Sequence, residues 1–236
     1  MKTVAIVLAA GSGKRMNTSI KKQYLELESK PVLYYSLKAL EDSFIDSITL
    51  VTSKEEVEFC KKEIVEKYCF KKVDHIVTGG KERYHSVMNG LFESEMCDYI
   101  FIHDGARPFI TGDLLQRLFD TVIDTKACVS AMPVKDTIKI ADNSGYVINT
   151  PNRNCVWSIQ TPQVFSYSLI RDVYAKLREK EGELEDAGIQ ITDDAMVVET
   201  FTSHKIKLVE GSYRNIKITT PEDLVIAKKF AKEIVK

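Results

Sequence analysis

Residues 4–8, VAIVL, form an unbroken apolar run that ends in Ala9-Ala10-Gly11-Ser12-Gly13, with Lys14-Arg15 directly after. A strand apolar at every position is buried on both faces, so it belongs to a parallel sheet covered by helices on each side. The small residues after it offer bare backbone N–H groups to an anion or a base edge, and the cations lie beside them. We read this segment as a loop for a nucleotide triphosphate. The same pattern suits a tight turn in any α/β protein, and the loop alone does not separate the two. The P-loop pattern G-x-x-x-x-G-K-[ST] is absent, and G-x-G-x-x-G fails at Met16.

The strand–helix rhythm then repeats. Pro31 suits the first turn of a helix carrying Val32, Leu33, Leu37 and Leu40. A strand over 48–51 follows, then a helix spaced by Val57, Cys60, Ile64 and Tyr68. A third strand, 73–77, ends at Gly79-Gly80, before a helix with Tyr84, Val87, Met88 and Leu91 on its core face. Arg83 and Ser86 lie on another face near the positive end of that helix. With the glycine pair they form a second wall of the same pocket. The fourth strand, 99–102, runs into His103-Asp104-Gly105-Ala106-Arg107-Pro108. Ligands of open parallel sheets bind beyond the carboxyl ends of the strands. Asp104 stands at such an end and suits magnesium, which takes hard oxygen ligands shared with substrate phosphates. An N-cap or a pairing with Arg107 is the alternative for Asp104, and His103 reads as a packing residue. A helix with Leu114, Leu115, Leu118 and Val122 leads to a strand over 127–132. The whole predicts an α/β fold, a mostly parallel twisted sheet flanked by helices.

The rhythm breaks at 137–140, which alternates with period two, turns at Asp142-Asn143-Ser144-Gly145 and returns at 146–148. Two strands alone are marginal, so this hairpin is expected to be an arm, at about 134–160, that packs on a second subunit. Residues 151–165 hold the one tryptophan and two prolines. A helix with Leu169, Val173, Ala175 and Leu177 follows, and 180–187 reads as a charged loop. Thr192 or Asp193 suits an N-cap before the apolar run 195–198, and 206–209 reads as a last core strand. Thr220-Pro221-Glu222-Asp223 opens the last helix, with Lys217 just before it.

A chain of 236 residues suits one domain. A net charge of −1 gives no general field for nucleic acid, and the local basic clusters suit a small anionic substrate. Five scattered cysteines without a C-x-x-C pair point to a reducing compartment. No signal peptide or membrane-length apolar run is seen, so a cytoplasmic protein away from the membrane is expected.

The stretches AAGSGKRM (9–16), KQY (22–24), GGKER (79–83), HDGARPF (103–109), PVKDTIK (133–139), QTPQ (160–163), TDD (192–194) and NIKITTPEDL (215–224) stand in order along the chain. Together they resemble the 2-C-methyl-D-erythritol 4-phosphate cytidylyltransferases of the non-mevalonate isoprenoid pathway. The resemblance implies one Rossmann-like nucleotidyltransferase domain over 1–236, a homodimer built by the arm, and CMP transfer from CTP to the alditol phosphate with magnesium or another divalent cation. It implies that Ala10, Gly11, Gly79 and Ser86 hold the cytidine. Arg15 and Lys22 would bind the triphosphate, Lys217 the α-phosphate and Asp104 the metal. Arg107 and Thr192, with Thr137 and Arg153 from the partner subunit, would position the alditol phosphate.

Three residues depart from the usual pattern. Lys21 stands where proline is common, which removes a source of loop stiffness; Gly105 replaces an alanine; Lys81 replaces an acidic residue found in some members. The chain stops at Lys236, so no fused cyclodiphosphate synthase domain is expected. A ribitol 5-phosphate cytidylyltransferase is the nearest rival reading, and a non-catalytic nucleotide-binding regulator the more distant one.

Overall fold

The computed structural model describes residues 1–11, 13, 16 and 20–234, with Ile234 lacking a described side chain. In chain order its strands are β1 (Thr3–Leu8), β2 (Glu26–Leu27), β3 (Lys30–Pro31), β4 (Ser47–Thr52), β5 (Val73–Thr78), β6 (Tyr99–Asp104), β7 (Ala127–Pro133), β8 (Ile140–Ala141), β9 (Val147–Asn149), β10 (Trp157–Ser166) and β11 (Lys207–Glu210). The α-helices are α1 (Val32–Glu41), α2 (Val57–Phe59), α3 (Arg83–Glu93), α4 (Gly112–Thr125), α5 (Tyr167–Asp186), α6 (Asp194–Phe201) and α7 (Pro221–Ile234).

Seven strands make one sheet in the order β11-β7-β10-β6-β1-β4-β5. β1 pairs in parallel with β4 and β6, as the apolar run required. Alternate residues of β1 enter opposite cores. Ala5 and Val7 meet α1 and α4 on one face, and Val4 and Ile6 meet α3, α5 and α6 on the other. A large side chain fully buried in this way contributes about 1.5–3 kcal/mol. A third cluster seats Ala227 and Ala231 of α7 against Leu27, Val32, Tyr35 and Phe109.

Several elements differ from expectation. β10 is a long strand, antiparallel to both β6 and β7, inside the sheet. Pro162 hid it, because proline lacks a ladder N–H. The strand accommodates it where its register with β7 shifts, between Ile159 and Gln163. The expected loop at 180–187 is helix as far as Asp186. Gly182 costs roughly 1 kcal/mol there, but Leu184 packs on the second core and Glu181 accepts from Tyr84 Oη at 2.8 Å. β11 is an edge strand, paired with β7, in which Val209 alone is buried. The hairpin is shorter than expected, confined to β8 and β9, and wholly exposed, so no core face extends it. The helix spaced by Val57 and Tyr68 forms in pieces, with π-helical geometry over Cys60–Glu66.

Candidate active site

The chain steps outward from β1 to β4 and β5, then crosses back to β6 on the other side of β1. This reversal opens a crevice at the carboxyl ends of the strands, where ligands of such sheets bind. Leu8 and Asp104 are register partners at its floor. Backbone bonds tie the adjoining loops together: Ala9 N to Val51 O at 2.7 Å, Gly79 N to Thr52 O at 2.7 Å and Gly105 N to Leu8 O at 2.9 Å. The first loop touches the Gly79-Gly80 wall so closely that a Cβ on Gly79 would stand 2.5 Å from Ala10 Cβ and 2.8 Å from Ser86 Oγ. Ser86 Oγ accepts from Gly80 N–H at 3.1 Å.

Two cavities fill the crevice. The first, about 360 Å³, is lined by Ala10, Gly11, Lys22, Lys81 and Ser86 among others. The second, about 310 Å³, is lined by Arg107, Gln160, Thr161, Thr192 and Asp193 among others. Arg83, Asp104 and Lys217 line both, so the two lobes meet at this cluster. Ala10, Gly11, Ser86 and Lys22 therefore share the first lobe with Asp104 and Lys217, while Arg107 and Thr192 share the second with them. Gly79 packs behind the wall of the first. Thr137 and Arg153 line neither lobe of their own chain; Arg153 sits on the arm, donating to Lys135 O at 3.2 Å. Arg15 lies outside the described residues.

Asp104 is buried and ringed by cations. Lys217 Nζ lies 2.7 Å away, Arg83 Nε 3.2 Å and Arg107 Nε 3.8 Å. Burial by itself would raise its pKa, but Arg83, Lys217 and Arg107 outweigh it and hold the carboxyl well below the usual range. The pairing with Arg107 is thus present, but as part of a larger cluster. Arg83, read from the sequence only as a wall, is its key member. It grips Asp194 bidentately at 2.9 and 2.8 Å, and Tyr174 Oη donates to Asp194 at 2.6 Å. Asp193, not Thr192, caps α6 by accepting from Met196 N at 2.9 Å. Nothing in the sequence said that the buried Asp194 would find Arg83.

β10 supplies the remaining scaffold. Thr161 Oγ1 accepts from Asp104 N at 3.0 Å and lies 3.0 Å from His103 Nδ1. His103 Nε2 reaches Arg107 O at 3.1 Å, so His103 is the packing residue expected. Burial brings its pKa down to about 4. Arg107 donates to Asn215 O at 2.8 Å, and its buried Nε has no hydrogen-bond partner among the described residues.

Among the described residues no group of three or more His, Cys, Asp or Glu could by itself hold a metal. Magnesium does not need one, because it binds through one or two carboxylates plus substrate phosphates. An ionised Asp104 shared by both lobes fits that mode.

A mostly parallel sheet with a cation-lined, two-lobed cleft over its reversal point is the architecture of an α/β nucleotidyltransferase. The family model for IspD, 2-C-methyl-D-erythritol 4-phosphate cytidylyltransferase, matches residues 3–233, and the chain belongs to this family of cytidylyltransferases. It is 52% identical to the 2-C-methyl-D-erythritol 4-phosphate cytidylyltransferase of Lachnospira eligens, over 97% of this chain and 98% of that one. Identity to the protein of that name from Lachnoclostridium phytofermentans is 48%, over 98% and 97%. The solved structure of 4-diphosphocytidyl-2C-methyl-D-erythritol synthase from Anaerococcus prevotii superposes with a TM-score of 0.85 at 36% identity, covering 98% of this chain and 96% of that one.

Proposed function

We propose that the chain transfers CMP from CTP to 2-C-methyl-D-erythritol 4-phosphate, giving 4-diphosphocytidyl-2-C-methyl-D-erythritol and pyrophosphate. The nucleotide takes the lobe with Ala10, Gly11 and Ser86, the alditol phosphate the lobe with Arg107 and Thr192. The observation that carries this reading is that both lobes share Arg83, Asp104 and Lys217. Two bound phosphates would meet there.

A phosphate oxygen of the alditol substrate attacks the α-phosphorus, a new P–O bond forms, and the bond to the β-phosphate breaks as pyrophosphate leaves. The nucleophile is already anionic, so no general base is required. Catalysis reduces to positioning and charge neutralisation. Lys22 and Arg15 bind the triphosphate and Lys217 the α-phosphate. Asp104 would hold magnesium, which supplies charge neutralisation across the triphosphate when bound. Arg107 lines the second lobe beside Asp104, which supports its role as a phosphate ligand.

The arm supports a homodimer. Tyr146, Val147 and Ile148 are 75%, 58% and 66% exposed, a cost that a second copy would remove. Thr137 and Arg153 would then serve the partner's cleft. The scattered cysteines support a cytoplasmic location. No described helix is long and apolar enough to cross a membrane. The family and its named relatives favour the methylerythritol substrate over ribitol 5-phosphate and an enzyme over a regulator.

CTP labelled at the α-phosphorus tests the chemistry. Label in the alditol product and none in pyrophosphate supports attack at that atom. Label left in free CMP would contradict it.

A further inference from the structure

The turn that carries Lys22 (Lys22–Tyr24) is held from both sides. Gln23 donates its side-chain amide to Ala9 O at 2.6 Å and Gly11 O at 3.2 Å, tying the turn to the first loop. Lys21 Nζ lies 3.0 Å from Glu56 Oε2 and donates to Ser53 Oγ at 2.9 Å. Tyr24 Oη donates to the same Glu56 Oε2 at 3.2 Å, beside Thr52 Oγ1 and Cys60 Sγ, each 3.1 Å away. Ser53 Oγ also donates to that oxygen, at 2.7 Å. One carboxylate oxygen thus gathers Lys21, Tyr24 and Ser53 at the end of β4.

We infer that Glu56 is a positioning residue, which fixes the turn that presents Lys22 to the nucleotide lobe. The inference rests on the reading that Lys22 acts on the triphosphate.

An isolated surface ion pair would carry little weight, typically 0–1 kcal/mol. This one differs in two respects. Its partners flank the residue that faces the cleft, and its carboxylate is also the acceptor for Tyr24. Burial pushes the Tyr24 phenol well up, so it stays a donor at working pH. Lys21 has φ −63° and ψ 142°, close to the φ of about −65° that a proline ring imposes. Among the described residues its N–H donates no hydrogen bond. The side-chain clamp therefore does for this backbone what a proline would do covalently.

Steady-state turnover of the full chain with CTP, magnesium and 2-C-methyl-D-erythritol 4-phosphate tests it in Glu56→Ala, Lys21→Pro/Glu56→Ala and Lys22→Ala. Misplacement of a catalytic group by about 1 Å can cost about 100-fold. Glu56→Ala is expected to lower kcat roughly 10- to 100-fold and to change KM for CTP less than about twofold, since the nucleoside walls are intact. Adding Lys21→Pro is expected to restore most of kcat. Wild-type kcat in Glu56→Ala, with Lys22→Ala inactive, would overturn the inference. A loss that Lys21→Pro does not recover would also overturn it. Wild-type turnover in Lys22→Ala would instead remove the reading on which it rests.

Discussion

Asp104 is ionised inside the protein because Arg83, Lys217 and Arg107 surround it. Removing its carboxylate leaves these cations facing one another and takes away the ligand assigned to the metal. Asp104→Ala is expected to weaken magnesium dependence sharply, measured as the magnesium concentration for half-maximal turnover; an unchanged titration would refute the assignment. His103 gives a stability prediction for the metal-free protein. Its pKa is about 4 when folded, against about 6.5 when unfolded. The unfolded chain binds the extra proton between these values, so stability is full above about pH 6.5 and falls as pH drops to about 4, by about 3 kcal/mol. Urea unfolding in EDTA at several pH values is expected to show this slope, reduced in His103→Asn; parallel slopes would contradict it. Asp104 and Ser86 stood out in the sequence because a strand end and a glycine turn mark them, whereas Lys217 stood out only through the family resemblance. The sequence concealed Asp194 and Tyr174, whose partner Arg83 lies 111 residues from Asp194. That distance closes only when α3, α5 and α6 share one core.

The apolar run of β1 and the repeated strand–helix pattern were legible as elements because buried parallel strands show no alternation. β10 was not, because Pro162 breaks the local pattern while pairing on both sides restores the strand. Yet β10 supplies Thr161, which accepts from the Asp104 backbone. The meeting of the first loop with the start of α3 gives a test. A methyl on Gly79 would collide with Ala10 and Ser86, and the loop would have to withdraw from the nucleoside lobe. Gly79→Ala is expected to raise KM for CTP about tenfold or more, an effect of about 1.4 kcal/mol, with KM for the alditol phosphate little changed. Equal changes in both would show a general loss of structure. Gly105 is equally confined, since a Cβ there would meet Leu33 Cδ1 at 2.8 Å and Leu8 O at 3.0 Å. In this chain the glycine beside Asp104 serves close packing.

One cleft is assembled from elements spread along the sequence, while the arm stands away from it. Thr137 and Arg153 line neither lobe of their own chain, and in the proposed dimer they would serve the partner's cleft. Sedimentation at micromolar concentration is expected to show a dimer. Tyr146→Glu/Ile148→Glu is expected to yield a folded monomer with raised KM for the alditol phosphate; a wild-type monomer would contradict the arm's role. In the proposed reaction the second lobe takes methylerythritol phosphate. The decisive assay is pyrophosphate release from CTP and magnesium, with 2-C-methyl-D-erythritol 4-phosphate and ribitol 5-phosphate compared side by side. Strong preference in kcat/KM for the methylerythritol substrate is the expected result. Preference for ribitol 5-phosphate, or release with neither, would contradict it.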